Sequence, residues 1–259
     1  MILDEIVEKR REQLEREKEN VPFEEMREMA LNSKRTSLDF KAALQAEGIS
    51  IISEVKKASP SKGIISEDFR PAEQAEAYEK AGASAISCLT EEHYFKGAAK
   101  YLADIRAIVS IPILRKDFIF DEYQIYEAKV LGADAVLLIA AILKEEEILK
   151  FRRLAESLGL YCLTEVHNEE ELDKVIRCKC DIIGINNRDL KTFHVDLDTT
   201  KNLAAKIPYD AVLVSESGMK DGADIKTVRE YGADAVLIGE TLMRSDNIKM
   251  TIDELRGSL

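Results

Sequence analysis

The sequence predicts an α/β fold, a (β/α)8 TIM barrel preceded by an N-terminal helical extension, and three observations carry that expectation. Short β-branched apolar runs alternate with helical segments along most of the chain. One helix-to-strand junction recurs almost unchanged, in Lys80-Ala-Gly-Ala-Ser-Ala-Ile-Ser, Val130-Leu-Gly-Ala-Asp-Ala-Val-Leu and Glu230-Tyr-Gly-Ala-Asp-Ala-Val-Leu. The apolar runs number eight, as a closed barrel of this kind requires.

The first twenty residues place Ile2, Leu3, Ile6, Val7 and Leu14 near helical spacing among Glu, Lys and Arg, and Val21-Pro22 ends the pattern. A second helix is expected around Asp39 to Ala46. Residues 1–47 therefore read as the extension and 48–259 as the barrel, together one domain.

The expected strands are Ser50–Val55, Ala85–Leu89, Ile111–Leu114, Ala135–Ile139, Tyr161–Thr164, Ile182–Ile185, Ala211–Val214 and Ala235–Ile238. Their starts lie roughly 20 to 35 residues apart, enough for a strand, a crossover helix and two loops. Gly82, Gly132 and Gly232 supply the left-handed residue that stops each repeated helix. Asp121 with Gln124 and Asn168 with Glu171 read as capping boxes, and Pro71 suits a first helical turn. Strands so continuously apolar are buried on both faces, which favours closure over an open sheet.

Composition narrows the function. Of 259 residues 46% are hydrophobic and 33% charged, the balance of a water-soluble protein with one large core. No apolar run approaches the roughly 18 residues that cross a bilayer, so the expectation is a cytoplasmic protein with no membrane partner. A net charge of −12 with no sustained basic surface argues against a nucleic-acid partner. Cys88, Cys162, Cys178 and Cys180 lack the paired spacing of a zinc site and read as reduced core or turn residues; His93, His167 and His194 show no metal-ligand spacing and read as surface or loop residues. No metal is expected, and no nucleotide-binding glycine fingerprint stands out.

In such barrels chemistry sits at the carboxyl ends of the strands. Strand one ends in Glu54 and Lys56, strand three in Lys116, strand five in Glu165, strand six in Asn186 and Arg188, and strand seven in Glu216 and Ser217; strands two and four offer no ionisable group at that register. Any one of these would more often be a cap or a rim ion pair. Two Lys and three Glu converging on one mouth can instead shift one another's protonation and supply both acid and base, though they name no reaction. Ser217, Gly218, Gly239 and Glu240, after strands seven and eight, offer backbone N–H groups where many barrels hold phosphate, and an anionic ligand needs such a locally positive site. Phe95, Phe118, Leu137 and Leu190 lie at or just past strand ends, either as loop packing or as a slot for an aromatic ring.

Six segments give these residues a context. Ser53-Glu-Val-Lys-Lys-Ala-Ser-Pro-Ser-Lys-Gly63, Leu89-Thr-Glu-Glu-His-Tyr-Phe95, Leu114-Arg-Lys-Asp-Phe118, Leu163-Thr-Glu-Val-His167, Gly184-Ile-Asn-Asn-Arg-Asp-Leu190 and Ser215-Glu-Ser-Gly218 closely resemble the indole-3-glycerol phosphate synthase family. The resemblance spans nearly the whole chain, the extension included. It implies cofactor-free ring closure, decarboxylation and dehydration of 1-(2-carboxyphenylamino)-1-deoxyribulose 5-phosphate, a phosphorylated small molecule, in tryptophan biosynthesis by a monomer or weak homo-oligomer. It further implies Lys116 as general acid, Glu165 as general base, Lys56 on the substrate carboxylate, Glu54 and Asn186 orienting the reacting groups, and Glu216, Arg188 and Ser59 supporting them. By the same resemblance Ser217, Gly218, Gly239 and Glu240 hold the phosphate, Glu240 through its backbone, while Pro60, Phe95, Phe118, Leu137 and Leu190 enclose the ring. The competing expectations are another phosphate-binding barrel isomerase, which has no need of a two-lysine site with an aromatic slot, and a non-catalytic barrel that binds a phosphorylated metabolite.

Overall fold

The computed structural model describes residues 2–257, in which the eight apolar runs pair as one closed parallel barrel. The strands are β1 (Ser50–Val55), β2 (Ala85–Leu89), β3 (Ile113–Lys116), β4 (Ala135–Ile139), β5 (Tyr161–Val166), β6 (Ile182–Asn186), β7 (Val212–Glu216) and β8 (Ala235–Ile238). Each pairs with its neighbours in sequence, and β8 closes on β1 with Ser50 opposite Ala235 and Ser53 opposite Ile238. Crossover helices α4 (Pro71–Lys80), α5 (Ala99–Arg106), α6 (Glu122–Leu131), α7 (Glu145–Ser157), α8 (Glu169–Arg177), α9 (Asp198–Ala204) and α10 (Gly222–Glu230) separate the strands, and α11 (Glu240–Met243) and α12 (Ile248–Leu255) follow β8. The extension contributes α1 (Ile2–Asn20), α2 (Phe23–Leu31) and α3 (Phe40–Leu44).

Two cores follow from the alternation of side chains along each strand. Ile52, Leu114, Leu137, Leu163, Val214 and Leu237 point inward, and Phe40 and Leu44 of α3 complete that inner cluster. Ile51, Ile86, Val136, Ile183 and Val236 point outward against the helices. All four cysteines are free and buried. Burial pushes the Cys88 thiol up to about 12, so it behaves as an apolar side chain rather than a nucleophile.

The repeated junction has a second use beyond its left-handed glycine. Ser84, Asp134 and Asp234, one residue before their strands, accept the backbone N–H of Ile51 (3.2 Å), Ile113 (2.8 Å) and Leu213 (2.8 Å) on the preceding strands. Each junction thus ties its strand to the previous one at the amino-terminal end of the barrel. Asp134 also accepts Arg35 at 2.5 Å, Arg106 at 3.0 Å and the Leu38 N–H at 2.7 Å, which fastens the extension to that end.

Three expectations need correction. The segment after Pro22 forms α2, which the sequence reading passed over; Met26 and Ala30, four apart, are its buried face, and Phe23 meets Tyr126 edge-on at 5.8 Å. The third strand runs over Ile113–Lys116 instead of Ile111–Leu114, and the seventh over Val212–Glu216. Apolarity alone ends those strands at Leu114 and Val214, whereas the ladder continues through Arg115, Lys116 and Glu216, whose charges are paired. The Asp121–Gln124 capping box is present, but Asn168 accepts the Glu171 N–H while Glu171 reaches back to the N–H of His167.

α1 is held across the opposite, carboxyl end by a buried ionic cluster. Arg10, wholly buried, donates to both oxygens of Asp117 at 2.9 and 3.1 Å and to Glu17 at 2.9 Å. Arg115 joins Asp117 at 3.0 Å and Glu127 at 2.5 Å, and Thr90 donates to Asp117 at 2.8 Å. Burial would raise the Asp117 carboxyl, but Arg10 and Arg115 outweigh it and hold it below the usual carboxylate range. Removing one member strands a buried charge, so Arg10→Met should lower the unfolding free energy by about 3 kcal/mol in a urea titration. A loss below about 0.5 kcal/mol, the scale of an exposed pair, would mean that α1 is held by its apolar face alone.

Candidate active site

At the carboxyl end the strands surround a cavity of about 720 Å³, and every residue named above as a site candidate lines it. Alternation explains the convergence. Glu54 lies on β1 and Lys56 two residues on, just past its end; Lys116, Glu165 and Glu216 are the inward residues near the ends of β3, β5 and β7, and Asn186 ends β6.

Five charges form two linked groups. Lys116 lies 3.1 Å from Glu165 and in closer contact with Glu216, and Lys56 is paired with Glu54. Burial would lower the pKa of Lys116, but Glu216 and Glu165, with Glu54 behind them, raise it, so the ammonium is retained. The two carboxylates diverge. Burial acts to raise both; at Glu165 it is overcome by Lys116 and His167, which hold the group below its ordinary range. At Glu216 burial, reinforced by repulsion from Glu165, prevails over Lys116 and pushes the group above that range. The two carboxyl groups are thus driven apart, the separation that lets neighbouring groups serve as base and acid.

Glycines make room for these carboxylates. A Cβ on Gly184 of β6 would stand 2.3 Å from Oε1 of Glu216, and one on Gly239 would stand 2.4 Å from Oε1 of Glu54 and 2.9 Å from Lys56 Nζ. Gly239 thus has a packing duty in the charged floor besides its place at the start of α11.

The loops supply the walls. Glu91, fully buried, accepts the N–H groups of His93, Tyr94 and Phe95 and so fixes the turn that brings Phe95 to 6.0 Å from Phe118, centroid to centroid. Beyond β7, Ser217 and Gly218 both have positive φ, 65° and 100°. Asn187 secures this turn: its amide donates to Ser215 Oγ at 2.9 Å and Ser217 O at 3.1 Å, while its carbonyl accepts from Thr200. Asn186 Oδ1 accepts the Arg188 N–H at 3.0 Å, and the Arg188 guanidinium donates to Phe193 O.

A model of the family described as indole-3-glycerol phosphate synthase matches residues 3–255. The chain belongs to the indole-3-glycerol phosphate synthase family. A relative of that name from Alkaliphilus metalliredigens is 50% identical over 100% of this chain and 99% of its own length. Another, from Acetivibrio thermocellus, is 51% identical over 99% of each chain. Among solved structures, a 3-hexulose-6-phosphate synthase from Salmonella typhimurium is similar with a TM-score of 0.66 at 11% identity, covering 81% of this chain and 97% of that one. A thiamine phosphate pyrophosphorylase from Pyrococcus furiosus is similar with a TM-score of 0.61 at 14% identity, covering 81% and 94%. These last two share the barrel fold.

This member of the indole-3-glycerol phosphate synthase family also has cavity residues that strand-end reasoning missed. Ile2, Leu3 and Ile6 bring an apolar wall from α1, and Lys62, Lys220 and Arg244 add cations near the turns after β7 and β8. Glu240, whose negative charge looked adverse to a phosphate, lies 3.1 Å from Arg244 and 3.6 Å from Lys62, so its field is offset. Arg244 follows Glu240 by four residues, a spacing visible in the sequence; the Lys62 contact crosses from another loop. His167 lies in the loop after β5, as expected, but not at the surface: its side chain is only 7% exposed and lies between Glu165 and Glu171.

Gly184→Ala should displace the Glu216 carboxylate from Lys116 at a stability cost of about 1–2 kcal/mol. Turnover in this variant should fall more than tenfold, roughly 1.4 kcal/mol of lost transition-state stabilisation or more. Wild-type turnover in a folded Gly184→Ala protein would show that the Lys116–Glu216 pair has no part in the chemistry.

Proposed function

We propose that the cavity carries out the family's reaction, ring closure with loss of carbon dioxide and water from 1-(2-carboxyphenylamino)-1-deoxyribulose 5-phosphate, using Lys116 as general acid and Glu165 as general base. The observation that carries the assignment is the Lys116 ammonium set between Glu165 and Glu216 at the floor of the cavity, the first carboxyl held low and the second pushed up. The aromatic carbon bearing the carboxylate attacks the ribulose carbonyl. Lys116 donates a proton to the carbonyl oxygen as charge develops there, which such a positioned acid accelerates by about 10²- to 10⁴-fold. Carbon dioxide then leaves, restoring the ring. Glu165 takes the proton from the ring carbon next to the new carbinol, and the Lys56 ammonium gives a proton to the hydroxyl, which departs as water.

The remaining residues divide the substrate by chemistry. Lys56 meets the ring carboxylate, with Glu54 fixing the lysine; Asn186, Glu216, Arg188 and Ser59 hold the reacting centre. Pro60, Phe95, Phe118, Leu137 and Leu190 enclose the ring, and the pair Phe95 and Phe118 supports that reading by its proximity. The phosphate takes the turns at Ser217, Gly218, Gly239 and Glu240, where Lys62, Lys220 and Arg244 supply positive charge. Residues 1–259 work as one unit on this reading, since α1 walls the same cavity as the strand ends, and the enzyme acts in the cytoplasm as a monomer or weak homo-oligomer.

Purified protein given the carboxyphenylamino ribulose phosphate alone should develop indole fluorescence. Lys116→Met should cut that turnover by about 10³-fold or more while far-UV circular dichroism stays unchanged, because burial, which already pushes the Glu216 carboxyl up, leaves it neutral once the cation is gone. Absence of turnover by the unmodified chain, with ligand binding intact, would instead make it a binding barrel.

A further inference from the structure

β5 closes with Thr164-Glu165-Val166, and His167 follows in the bend before α8, two residues from Glu165. His167 is absent from the cavity wall and cannot touch a ligand there. Its Nδ1 lies 3.0 Å from Oε2 of Glu171, which also accepts the His167 backbone N–H at 2.8 Å. The other oxygen of Glu171 takes the Asn168 amide at 2.7 Å, so this carboxylate is a fixed anchor at the start of α8. On its far edge, Nε2 of His167 lies 3.2 Å from Oε1 of Glu165, within ion-pair range though not aligned for a hydrogen bond. The second oxygen of Glu165, Oε2, faces Lys116 at 3.1 Å. Each oxygen of Glu165 thus has its own cation, Lys116 within the cavity and His167 behind it.

This arrangement matters at one moment in the reaction. When Lys116 gives up its proton it becomes a neutral amine, and Glu165 loses the partner that faces the substrate. A buried carboxylate without a cation would retain its next proton and fail to release it to the following cycle. We propose that His167 is a positioning residue for Glu165, wedged between Glu165 and Glu171 so that the base keeps its orientation and a second cationic partner after Lys116 has discharged. The proposal rests on the reading of Glu165 as the base.

The charged groups facing the pair are Glu171 from α8 and, across the barrel mouth, Lys116 from β3, Glu216 from β7 and Glu54 from β1. Lys174, one turn beyond Glu171, is turned away onto the carbonyls of Ala140 and Leu143. Burial alone would lower the pKa of His167, but Glu165 and Glu171 raise it to about 10, so the imidazolium persists through neutral pH. Glu165 and the anchoring Glu171 therefore set the charge of this histidine together.

His167→Gln keeps an amide donor and removes the charge. Its kcat should fall about tenfold with KM within about twofold of wild type, because the substrate contacts are untouched. The acid limb of the kcat–pH profile should move up by about one unit, as Glu165 becomes easier to protonate. Glu171→Gln, which leaves both His167 and Glu165 in place, should move the same limb in the same direction by less. A merely structural histidine would leave both limbs where they are. If His167→Gln does not fold, nitrogen NMR of the unmodified protein gives an independent reading, with His93→Gln and His194→Gln used for assignment. The His167 signal should remain that of an imidazolium above pH 8, beyond the ordinary histidine value of about 6.5. An unmoved acid limb with kcat within twofold of wild type, or a His167 that titrates at its ordinary value, overturns the proposal. Wild-type kcat in Glu165→Gln would overturn the parent reading of the base instead, leaving the NMR result to stand by itself.

Discussion

A buried ammonium is tolerable only where carboxylates offset its desolvation, and the barrel mouth is organised around that requirement at Lys116. Glu165 and Glu216 reach it from β5 and β7, so the pair can form only when three strands are in register around a closed ring. Gly184 leaves the space that the Glu216 carboxylate fills. The cluster of Glu54, Lys56, Lys116, Glu165 and Glu216 carries one more acidic group than basic, an awkward balance for a site that must receive a carboxylate and a phosphate. Burial pushes the Glu216 carboxyl up, which works against that excess, and Lys62, Lys220 and Arg244 bring cations to the rim within a chain of net charge −12.

The two ends of the barrel have different tasks. At the amino-terminal end, Ser84, Asp134 and Asp234 take up strand N–H groups, and Phe40 and Leu44 cap the inner core, so polar side chains there satisfy backbone. At the carboxyl end the polar side chains bond chiefly to one another and to the loops around the cavity. Rigidity below and unsettled charge above are what a barrel enzyme needs if its floor is to hold reactive groups still.

The barrel was legible because its signal is periodic and local. Gly132 has the left-handed conformation that its junction requires, and the apolar runs need no distant information to be seen. The strand-end residues were legible too, since closure alone sends them to one mouth. What stayed hidden depends on contacts between segments far apart in the chain. Arg10 reads as one more charged residue on an amphipathic helix until Asp117, 107 positions away, is found beside it. Arg115 and Glu127 look exposed by type and are buried by pairing. His167 has no metal-ligand spacing in the sequence, and its place between Glu165 and Glu171 depends on the turn into α8. α2 was missed for a local reason: it begins immediately after Pro22, where the preceding helix stops, so a single proline was read as the end of helix when it is also the start of the next.

The path of α1 gives the molecule a polarity with practical force. Ile2 and Leu3 stand at the wall of the cavity, whereas Arg256, just past α12, donates to the carbonyl of Gly82 at the turn that enters β2, on the opposite end of the barrel. A partner domain fused ahead of Ile2 would hang over the entrance and compete with substrate for access, while one fused after Gly257 would trail from the closed base. Joining the two ends by a short linker, as in a circular permutant, would require the linker to run the full height of the barrel. Tethering this protein to a surface or to a second enzyme therefore belongs at its carboxyl terminus.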